Sequence, residues 1–192
     1  MKPVVDWEKR YQDNETGWDI GSVSRPLQEY FDQLKDKDLR ILIPGCGNAH
    51  EAAYLHEKGF SKVFLVDLAS TPLNKFAEKY PEFPKDHLIQ ANFFEHKGEY
   101  DLIVEQTFFC AINPADRAAY ANHAASLIGK GGKLVGLLWA TPMNENKPPF
   151  GGSKEEYLQY FEPYFKLKTF ELAHNSIKPR AKRELFLIGE KK

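Results

Sequence analysis

From residue 39 onwards, short unbroken apolar runs alternate with segments in which apolar residues recur every three or four positions. The short runs predict buried strands, and the longer periodic segments predict helices. Five strands are predicted in this way, at residues 39–44, 62–67, 87–92, 100–105 and 133–139. Because helices separate strands that are apolar on both faces, the pattern predicts a parallel sheet with helices on both sides.

The predicted helices are bounded by capping residues and glycines. A helix over residues 49–58 is followed by a glycine, and Ser70 begins the next helix, which has a proline in its first turn. A third helix is predicted to start at an Asn-Pro pair and to run to about Ile128, before a glycine-rich break at 129–132. A capping box begins the helix at 153–161. Strand and helix therefore alternate as far as this last helix.

The chain ends in two further predicted strands, at residues 165–172 and 183–191. The connection between them is polar, contains a proline and is too short for a helical crossover. These two strands are therefore predicted to form an antiparallel hairpin. The predicted fold class is α/β and Rossmann-like, with a mostly parallel sheet that ends in this hairpin.

Composition narrows the class of protein further. With 192 residues, of which 42% are apolar, the chain is expected to form a single domain over residues 1–192. The formal net charge of −1 supplies no basic field, so neither nucleic acid nor a membrane is an expected partner. Cys46 and Cys110 match no zinc-binding spacing and fit a reducing compartment. We therefore expect a monomeric cytoplasmic protein.

The loop IPGCGNAHE follows the first predicted strand, where nucleotide-binding α/β folds place their ligand loop. Gly45 and Gly47 permit backbone angles and a close ligand approach that a Cβ would prevent. His50 replaces the third glycine of the dinucleotide motif, and the lysine of the P-loop is absent. The loop therefore favours a ligand lying over a two-glycine turn and disfavours a pyrophosphate.

Asp67 ends the second predicted strand, and a carboxylate at this point can accept hydrogen bonds from both hydroxyls of a ribose. An aspartate here serves equally well as a helix cap or a turn residue. The glycine loop at the preceding strand end favours the ribose interpretation. Together the two features predict a ligand that contains adenosine.

The fourth predicted strand ends in the polar pair Glu105 and Gln106, which is followed by Phe108 and Phe109. At the carboxyl edge of the sheet, the polar pair would offer a charge and an amide to a zwitterionic, cationic ligand. The two aromatic rings could form the wall of a dry reaction chamber. The alternative is that one or both rings belong to the core.

Several stretches together resemble the S-adenosylmethionine-dependent thiopurine methyltransferase-like family, and especially its halide/thiol methyltransferase branch. They are WEKRY, GWDIG, LIPGCGNAHE, VDLA, EQTFFCAINPADR, PPF and RELFLIGEK, and they cover nearly the whole chain in family order. The resemblance implies a seven-stranded class I methyltransferase fold that uses S-adenosyl-L-methionine as its cofactor. It also implies a helical cofactor lid at residues 1–25.

The resemblance and the strand ends together give a set of candidate site residues. The candidate cofactor-binding residues are Trp7, Tyr11 and Trp18 in the lid, Gly45, Gly47, Asp67, Leu68, Asn92, Phe93, Glu105 and Gln106. Many methyltransferases carry an acidic residue two positions before the first loop glycine, but this chain has Ile43 there. The methionine ammonium group therefore lacks its usual partner near the first strand.

The acceptor is expected to be a small soft nucleophile, because no histidine stands out as a general base and a thiol is already partly ionised at neutral pH. Gln106 and Arg117 are the candidate catalytic residues near the acceptor. Gln106 occupies a position where halide-methylating members commonly have tyrosine, which favours a small thiol over iodide, with thiopurines slower. Arg117 is interpreted equally well as a surface ion-pair residue.

Two other functions remain open at this stage. One is a protein that binds S-adenosylmethionine or its product without catalysis. The other is a nicotinamide-dependent oxidoreductase on a similar fold, which the missing third glycine disfavours. Transfer of a labelled methyl group to a small thiol distinguishes the methyltransferase from both.

Overall fold

The computed structural model describes residues 5–192 and contains one seven-stranded mixed sheet. The strands are β1 (Ile41–Pro44), β2 (Val63–Asp67), β3 (Leu88–Gln90), β4 (Tyr100–Gln106), β5 (Ile128–Trp139), β6 (Phe165–Leu172) and β7 (Glu184–Lys191). Their order across the sheet is β3-β2-β1-β4-β5-β7-β6. The first five strands pair in parallel, and β7 lies antiparallel between β5 and β6. The predicted fold class is confirmed, including the antiparallel terminal hairpin.

Six α-helices accompany the sheet in the described part of the chain. They are α1 (Trp7–Gln12), α2 (Arg25–Phe31), α3 (His50–Glu57), α4 (Ser70–Lys79), α5 (Arg117–Leu127) and α6 (Lys154–Phe161). None of these helices is long and apolar enough to cross a membrane. The predicted helices therefore all form, with ends that differ from the predictions by a few residues.

Apolar residues fill the space on both faces of the sheet. On one face, Ile103 of β4 belongs to a buried cluster with α5 and α6, which contribute Tyr120 and Phe161 among others. On the other face, Leu102 and Val104 belong to a cluster formed with α2, α3 and α4. Consecutive residues of β4 therefore point to opposite helical layers, as the two-residue repeat of a strand requires.

The glycine-rich stretch at 129–132 was predicted to separate a helix from a strand that begins at 133. That prediction is wrong, because β5 begins at Ile128 and includes these glycines. The pairing with β4 jumps from Tyr100–Ile128 to Leu102–Lys133, so the additional residues form an irregularity within the strand. Glycine permits this conformation, since Gly131 has φ +77°. The glycines shape the start of the strand without separating it from the preceding helix.

Candidate active site

The carboxyl ends of the parallel strands meet at one edge of the sheet, where a cavity of about 630 Å³ opens. Gly45 follows β1, Asp67 ends β2, Asn92 follows β3 and Phe108 follows β4, and all four residues line this cavity. A smaller cavity of about 40 Å³ lies beside it. Both cavities share a set of lining residues, namely Trp18, Asp19, Ile20, Gly45, Thr107 and Arg180. The two cavities are therefore adjacent parts of one site.

The two-glycine turn is required by the packing around it. Gly45 and Gly47 have φ +57° and +51°, in the left-handed region that favours glycine. A Cβ at Gly45 would overlap the ring of Phe108, and one at Gly47 would meet the hydroxyl of Tyr11. The loop can therefore lie directly beneath a lid side chain and beside the aromatic wall. Gly45 lines both cavities, and Gly47 lines the smaller one.

Asp67 is buried at the end of β2 and is held by the loops on either side. Its Oδ2 accepts a hydrogen bond from the backbone N–H of Gly47 at 2.9 Å, and its Oδ1 accepts one from Ala69 at 2.9 Å. Burial raises the pKa of Asp67, and these two hydrogen bonds, which lower it, offset only part of the effect. Each carboxylate oxygen retains a lone pair for a ligand. Leu68, the next residue, is 41% exposed and also lines the larger cavity.

Asn92 and Phe93 lie just beyond β3 at the same edge of the sheet. Asn92 Oδ1 accepts a hydrogen bond from the backbone N–H of Phe94 at 3.2 Å, which starts a short 3₁₀ turn. The Phe93 ring is buried and packs against Phe108 and Tyr120, with ring centroids 5.5 and 5.4 Å away. Both candidate residues line the larger cavity.

The predicted lid residues Trp7, Tyr11 and Trp18 form one aromatic cluster over the larger cavity. Trp18 makes edge contacts to Trp7 and Tyr11, with ring centroids 5.6 and 5.7 Å apart. The guanidinium of Arg10 lies 4.8 Å from the Trp18 ring centroid. The three residues expected in the lid therefore lie together at the cavity, while their contact with a cofactor stays a prediction.

Two lid carboxylates fasten this cluster to the first residues of neighbouring helices. Glu8 accepts hydrogen bonds from the backbone N–H groups of Ser70 and Thr71 at the start of α4, at 2.6 and 3.2 Å. Asp19 Oδ1 lies 2.8 Å from Nε2 of His50 at the start of α3, and its Oδ2 accepts a hydrogen bond from the Asn48 side chain. The lid is therefore tied to the helices that follow β1 and β2.

Glu105 does not reach either cavity, so the expectation that it meets the ligand is not supported. Its carboxylate is fully buried and accepts hydrogen bonds from the backbone N–H groups of Phe108 and Phe109, at 2.9 and 2.8 Å, and from the hydroxyl of Tyr120 at 2.7 Å. Burial raises the pKa of Glu105 to about 7. The carboxyl group organises the turn that carries the aromatic wall.

Gln106 lines the smaller cavity and not the larger one. Its Oε1 is buried and accepts no hydrogen bond from the described residues. Thr107, the next residue, has φ +61°, which is strained for a β-branched side chain, and it lines both cavities. This position gives no support to a role for Gln106 beside the acceptor. It leaves a buried acceptor atom available for a ligand donor.

Arg117 is also placed away from both cavities. The side chain is buried, its Nη1 bonds Glu156 at 2.8 Å, and its Nη2 donates to the carbonyl of Gly151 at 2.9 Å. The guanidinium lies 5.0 Å from the ring centroid of Phe109. These contacts fasten α5 to α6 and to the loop before it. The catalytic role expected for Arg117 therefore has no structural support.

Of the expected aromatic wall, only part faces the cavity. Phe108, Pro148 and Pro149 line it, whereas Phe109 and Phe150 are buried elsewhere in the core. Phe109 therefore belongs to the core and Phe108 to the cavity wall, which is one of the alternatives that the sequence left open.

Four residues of the site were not singled out from the sequence: Asp19, Trp139, Arg180 and Arg183, all of which line the larger cavity. The guanidinium carbons of Arg180 and Arg183 lie 5.4 and 5.0 Å from the ring centroid of Trp139. Arg180 Nη2 also donates to the backbone carbonyl of Trp18 at 2.7 Å. The connection between β6 and β7 therefore forms part of the cavity wall and contacts the lid at Trp18.

A seven-stranded sheet with a β3-β2-β1-β4-β5-β7-β6 order and a glycine-turn site at its carboxyl edge defines a class I methyltransferase. The model of the thiopurine S-methyltransferase family matches residues 4–190, and the chain belongs to this family. The resemblance noted in the sequence is thereby confirmed.

The chain is similar to curated plant methyltransferases over most of its length. It is 29% identical to thiocyanate methyltransferase 1 of Brassica oleracea over 184 residues, which cover 93% of this chain and 81% of the relative. It is 27% identical to probable thiol methyltransferase 2 of Arabidopsis thaliana, with coverage of 82% and 71%.

Solved structures show the same fold at lower identity. One is a Burkholderia thailandensis 1,6-didemethyltoxoflavin-N1-methyltransferase, crystallised with 1,6-didemethyltoxoflavin and S-adenosylhomocysteine. It superimposes with a TM-score of 0.78 at 17% identity, and the match covers 96% of this chain and 84% of that one. At this identity the likeness is evidence for the fold alone.

Proposed function

We propose that this protein transfers a methyl group from S-adenosyl-L-methionine to the sulfur of a small thiol. The observation that carries the proposal is the joined pair of cavities at the carboxyl edge of the sheet. One side of the site presents the glycine turn and Asp67, while the other presents an apolar wall with two arginines. The family and the names of the plant relatives support transfer to sulfur.

The residues present fit the cofactor along the order of the strands. Asn92 and Phe93, after β3, would flank the adenine, and Asp67 would accept hydrogen bonds from the ribose hydroxyls. The lone pairs left on the Asp67 oxygens support this role, because only one backbone donor reaches each oxygen. Trp7 and Tyr11 would lie over the ligand, where aromatic faces attract a cation. When bound, S-adenosyl-L-methionine supplies an electrophilic methyl group on a sulfonium.

The acceptor side of the cavity is suited to a small nucleophile. Phe108, Met143, Pro148 and Pro149 supply apolar surface, and closure of the lid over a bound ligand would exclude water. The main task of these residues is to hold the nucleophile in line and to exclude water, since the donor needs no further activation.

The ionisation of the acceptor also supports a thiol. No histidine of the described chain lines the larger cavity, and His50 at the smaller one is hydrogen-bonded to Asp19, so a base for an amine or alcohol has no evident candidate on the acceptor side. A thiol with an ordinary pKa of about 8.5 is already partly thiolate at neutral pH. Arg183 is exposed at the cavity and carries a positive charge that attracts such an anion. The same positive charge would also attract iodide or thiocyanate. A halide, however, gains most from a pocket without water, and the exposed Arg183 side chain keeps water at this cavity.

Methyl transfer from labelled S-adenosylmethionine to ethanethiol, iodide, thiocyanate and 6-mercaptopurine tests the proposal. We expect the highest kcat/KM for ethanethiol and slower transfer to 6-mercaptopurine. The matched controls are Asp67→Ala, which should lose activity with every acceptor, and Asp13→Asn in the lid, which should not. S-adenosylhomocysteine binding without transfer to any acceptor would instead identify a non-catalytic binding protein. Iodide as the best substrate would refute the thiol assignment.

We further propose that the protein works as a monomer in the cytoplasm. Cys46 and Cys110 are free thiols, as expected in a reducing compartment. Large exposed apolar side chains among residues 5–192 are limited to Leu68, Leu172 and Ile177, and two of these line the cavity. Sedimentation at micromolar protein concentration tests the monomer, and a dimer would contradict it.

A further inference from the structure

Three arginines of the described chain line the larger cavity, and two of them are already paired with a carboxylate. Arg180 Nη1 lies 3.1 Å from the buried carboxylate of Glu184. Arg10 Nε lies 3.8 Å from the carboxylate of Glu15. The exposed side chain of Arg183 forms no salt bridge with the described part of the chain. Arg183 therefore brings to the cavity a positive charge that no described carboxylate compensates.

The ends of two paired strands hold Arg183 in place. Trp139 ends β5 and pairs with Glu184, the first residue of β7. The backbone carbonyl of Arg183 accepts a hydrogen bond from the N–H of Ala140 at 2.7 Å. Its guanidinium carbon lies 5.0 Å from the centroid of the Trp139 ring, which attracts the cation. Backbone and side chain are therefore both fixed, while the guanidinium donors remain available to a ligand.

A carboxylate is the anion that this arrangement fits best. The planar guanidinium group presents a fork of N–H donors that matches the two oxygens of a carboxylate. Apolar surface on the same cavity comes from Phe108, Met143, Pro148 and Pro149. An acceptor with a short apolar spacer between its thiol and its carboxylate would cover this surface and reach Arg183. The carboxylate would stay partly hydrated at the exposed arginine, so binding it costs little desolvation.

The carboxylates of the larger cavity support the same polarity. Asp67 and Asp19 already accept hydrogen bonds from the residues around them. Asp116, the N-cap residue of α5, also lines the cavity, and its side chain forms no salt bridge within the described chain. It would repel a bound carboxylate. An anionic acceptor would therefore place its charged end at Arg183 and away from Asp116.

We propose that the acceptor is a small thiol that also carries a carboxylate, and that Arg183 binds this carboxylate and selects for it. This proposal rests on the proposed function and names the substrate class of the same site. The thiol releases its proton to solvent, and its sulfur forms a bond to the methyl carbon as the bond from that carbon to the sulfonium breaks. The products are the S-methylated acid and S-adenosylhomocysteine. The carboxylate takes no part in the bond changes, so Arg183 determines specificity and performs no chemical step.

Three thiols with the same two-carbon spacer test the proposal. They are 3-mercaptopropionate, the neutral 3-mercaptopropionamide and the cationic cysteamine. For each thiol, kcat/KM of Arg183→Gln is divided by kcat/KM of the wild type, because this ratio cancels differences in thiol pKa. The loss for the acid should exceed the loss for the amide about fivefold, the upper range for a partly exposed ion pair, and should appear mainly as a raised KM. Cysteamine should lose no more than the amide.

Equal losses for the acid and the amide would overturn the proposal, because they would show that Arg183 acts only on the thiolate. An unchanged kcat/KM for the acid would overturn it as well. Thermal unfolding of the variant shows that a loss does not come from a damaged fold.

Two control variants separate this effect from a change in overall charge. Lys178→Gln removes an exposed positive charge from the same connection between β6 and β7 but lies outside the cavity lining, so all three ratios should stay near one. Asp116→Asn removes the opposite charge from the cavity and should not lower kcat/KM for the acid. A selective loss for the acid in either control, as large as in Arg183→Gln, would contradict a specific contact with Arg183.

Failure of this proposal can be distinguished from failure of the proposed function. A protein that methylates the amide, but whose preference between acid and amide does not change in Arg183→Gln, contradicts the role of Arg183 alone. A protein that methylates none of the three thiols contradicts both.

Discussion

Replacing Glu105 by glutamine should make the protein more stable relative to the wild type as the pH rises. In the folded protein, burial raises the pKa of Glu105 from an ordinary 4.5 to about 7. Protonation suits these surroundings, because Oε1 can still accept from the two backbone N–H groups. The Tyr120 hydroxyl, which donates to Oε2 of the carboxylate, can accept from Oε2–H once the group is protonated. Glutamine reproduces this arrangement with an N–H in place of the O–H.

The size and sign of the effect follow from the two pKa values. Below pH 4.5 the carboxyl group is protonated in both folded and unfolded chains, and its contribution is fully present. Between pH 4.5 and about 7 only the unfolded chain releases the proton, so wild-type stability falls. One pKa unit corresponds to about 1.4 kcal/mol, which gives a loss of about 3 kcal/mol over this interval.

The assay is urea unfolding of the wild type and of Glu105→Gln at several pH values from 5 to 8. Other carboxyl groups titrate alike in the two proteins, so the difference in unfolding free energy isolates position 105. We expect this difference to shift by about 3 kcal/mol in favour of glutamine as the pH rises. Glu105→Ala should be destabilised at every pH, because it leaves two backbone N–H groups unpaired. A difference that stays constant from pH 5 to 8 would refute the proposed neutral carboxyl group.

Three further predictions concern the site. Asp67→Ala should weaken S-adenosylhomocysteine binding by about 1.5–3 kcal/mol in calorimetry. Unchanged affinity would contradict the proposal that Asp67 binds the ribose hydroxyls. Hydrogen bonds from Thr71 and Ser70 lower the pKa of Glu8, so lid docking is fully present above its ordinary 4.5 and is lost as the pH falls through the lower value. Glu8→Gln should accordingly speed proteolysis within the lid at neutral pH without changing global unfolding, and equal cleavage rates would disprove this fastening. Arg117→Met should cost about 1–3 kcal/mol of stability with little change in acceptor KM, whereas a raised KM at unchanged stability would place Arg117 at the acceptor.

Sequence patterns predicted the sheet well because its central strands are buried on both faces and so carry a strong apolar signal. They also predicted Gly45, Asp67 and Asn92 at one edge, since the ends of parallel strands necessarily meet there. Arg180 escaped prediction because it lies in a connection without periodicity. Its position is set by a buried ion pair with Glu184 at 3.1 Å and by a hydrogen bond to Trp18, a residue 162 positions away in the chain. Asp19 likewise gains its place only through contacts with the loop at Asn48 and His50.

The different fates of Glu105 and Gln106 follow from the two-residue repeat of β4. Ile103 faces the layer of α5 and α6, so Glu105 faces the same way and meets Tyr120 on α5. Val104 faces the layer of α3, so Gln106 points to that side, where the smaller cavity lies. The two polar residues at this strand end therefore differ: Glu105 stabilises the turn, and Gln106 lines the smaller cavity. The strand pattern alone contained this assignment, because the side of the sheet that each residue faces is fixed once the buried residues before it are known.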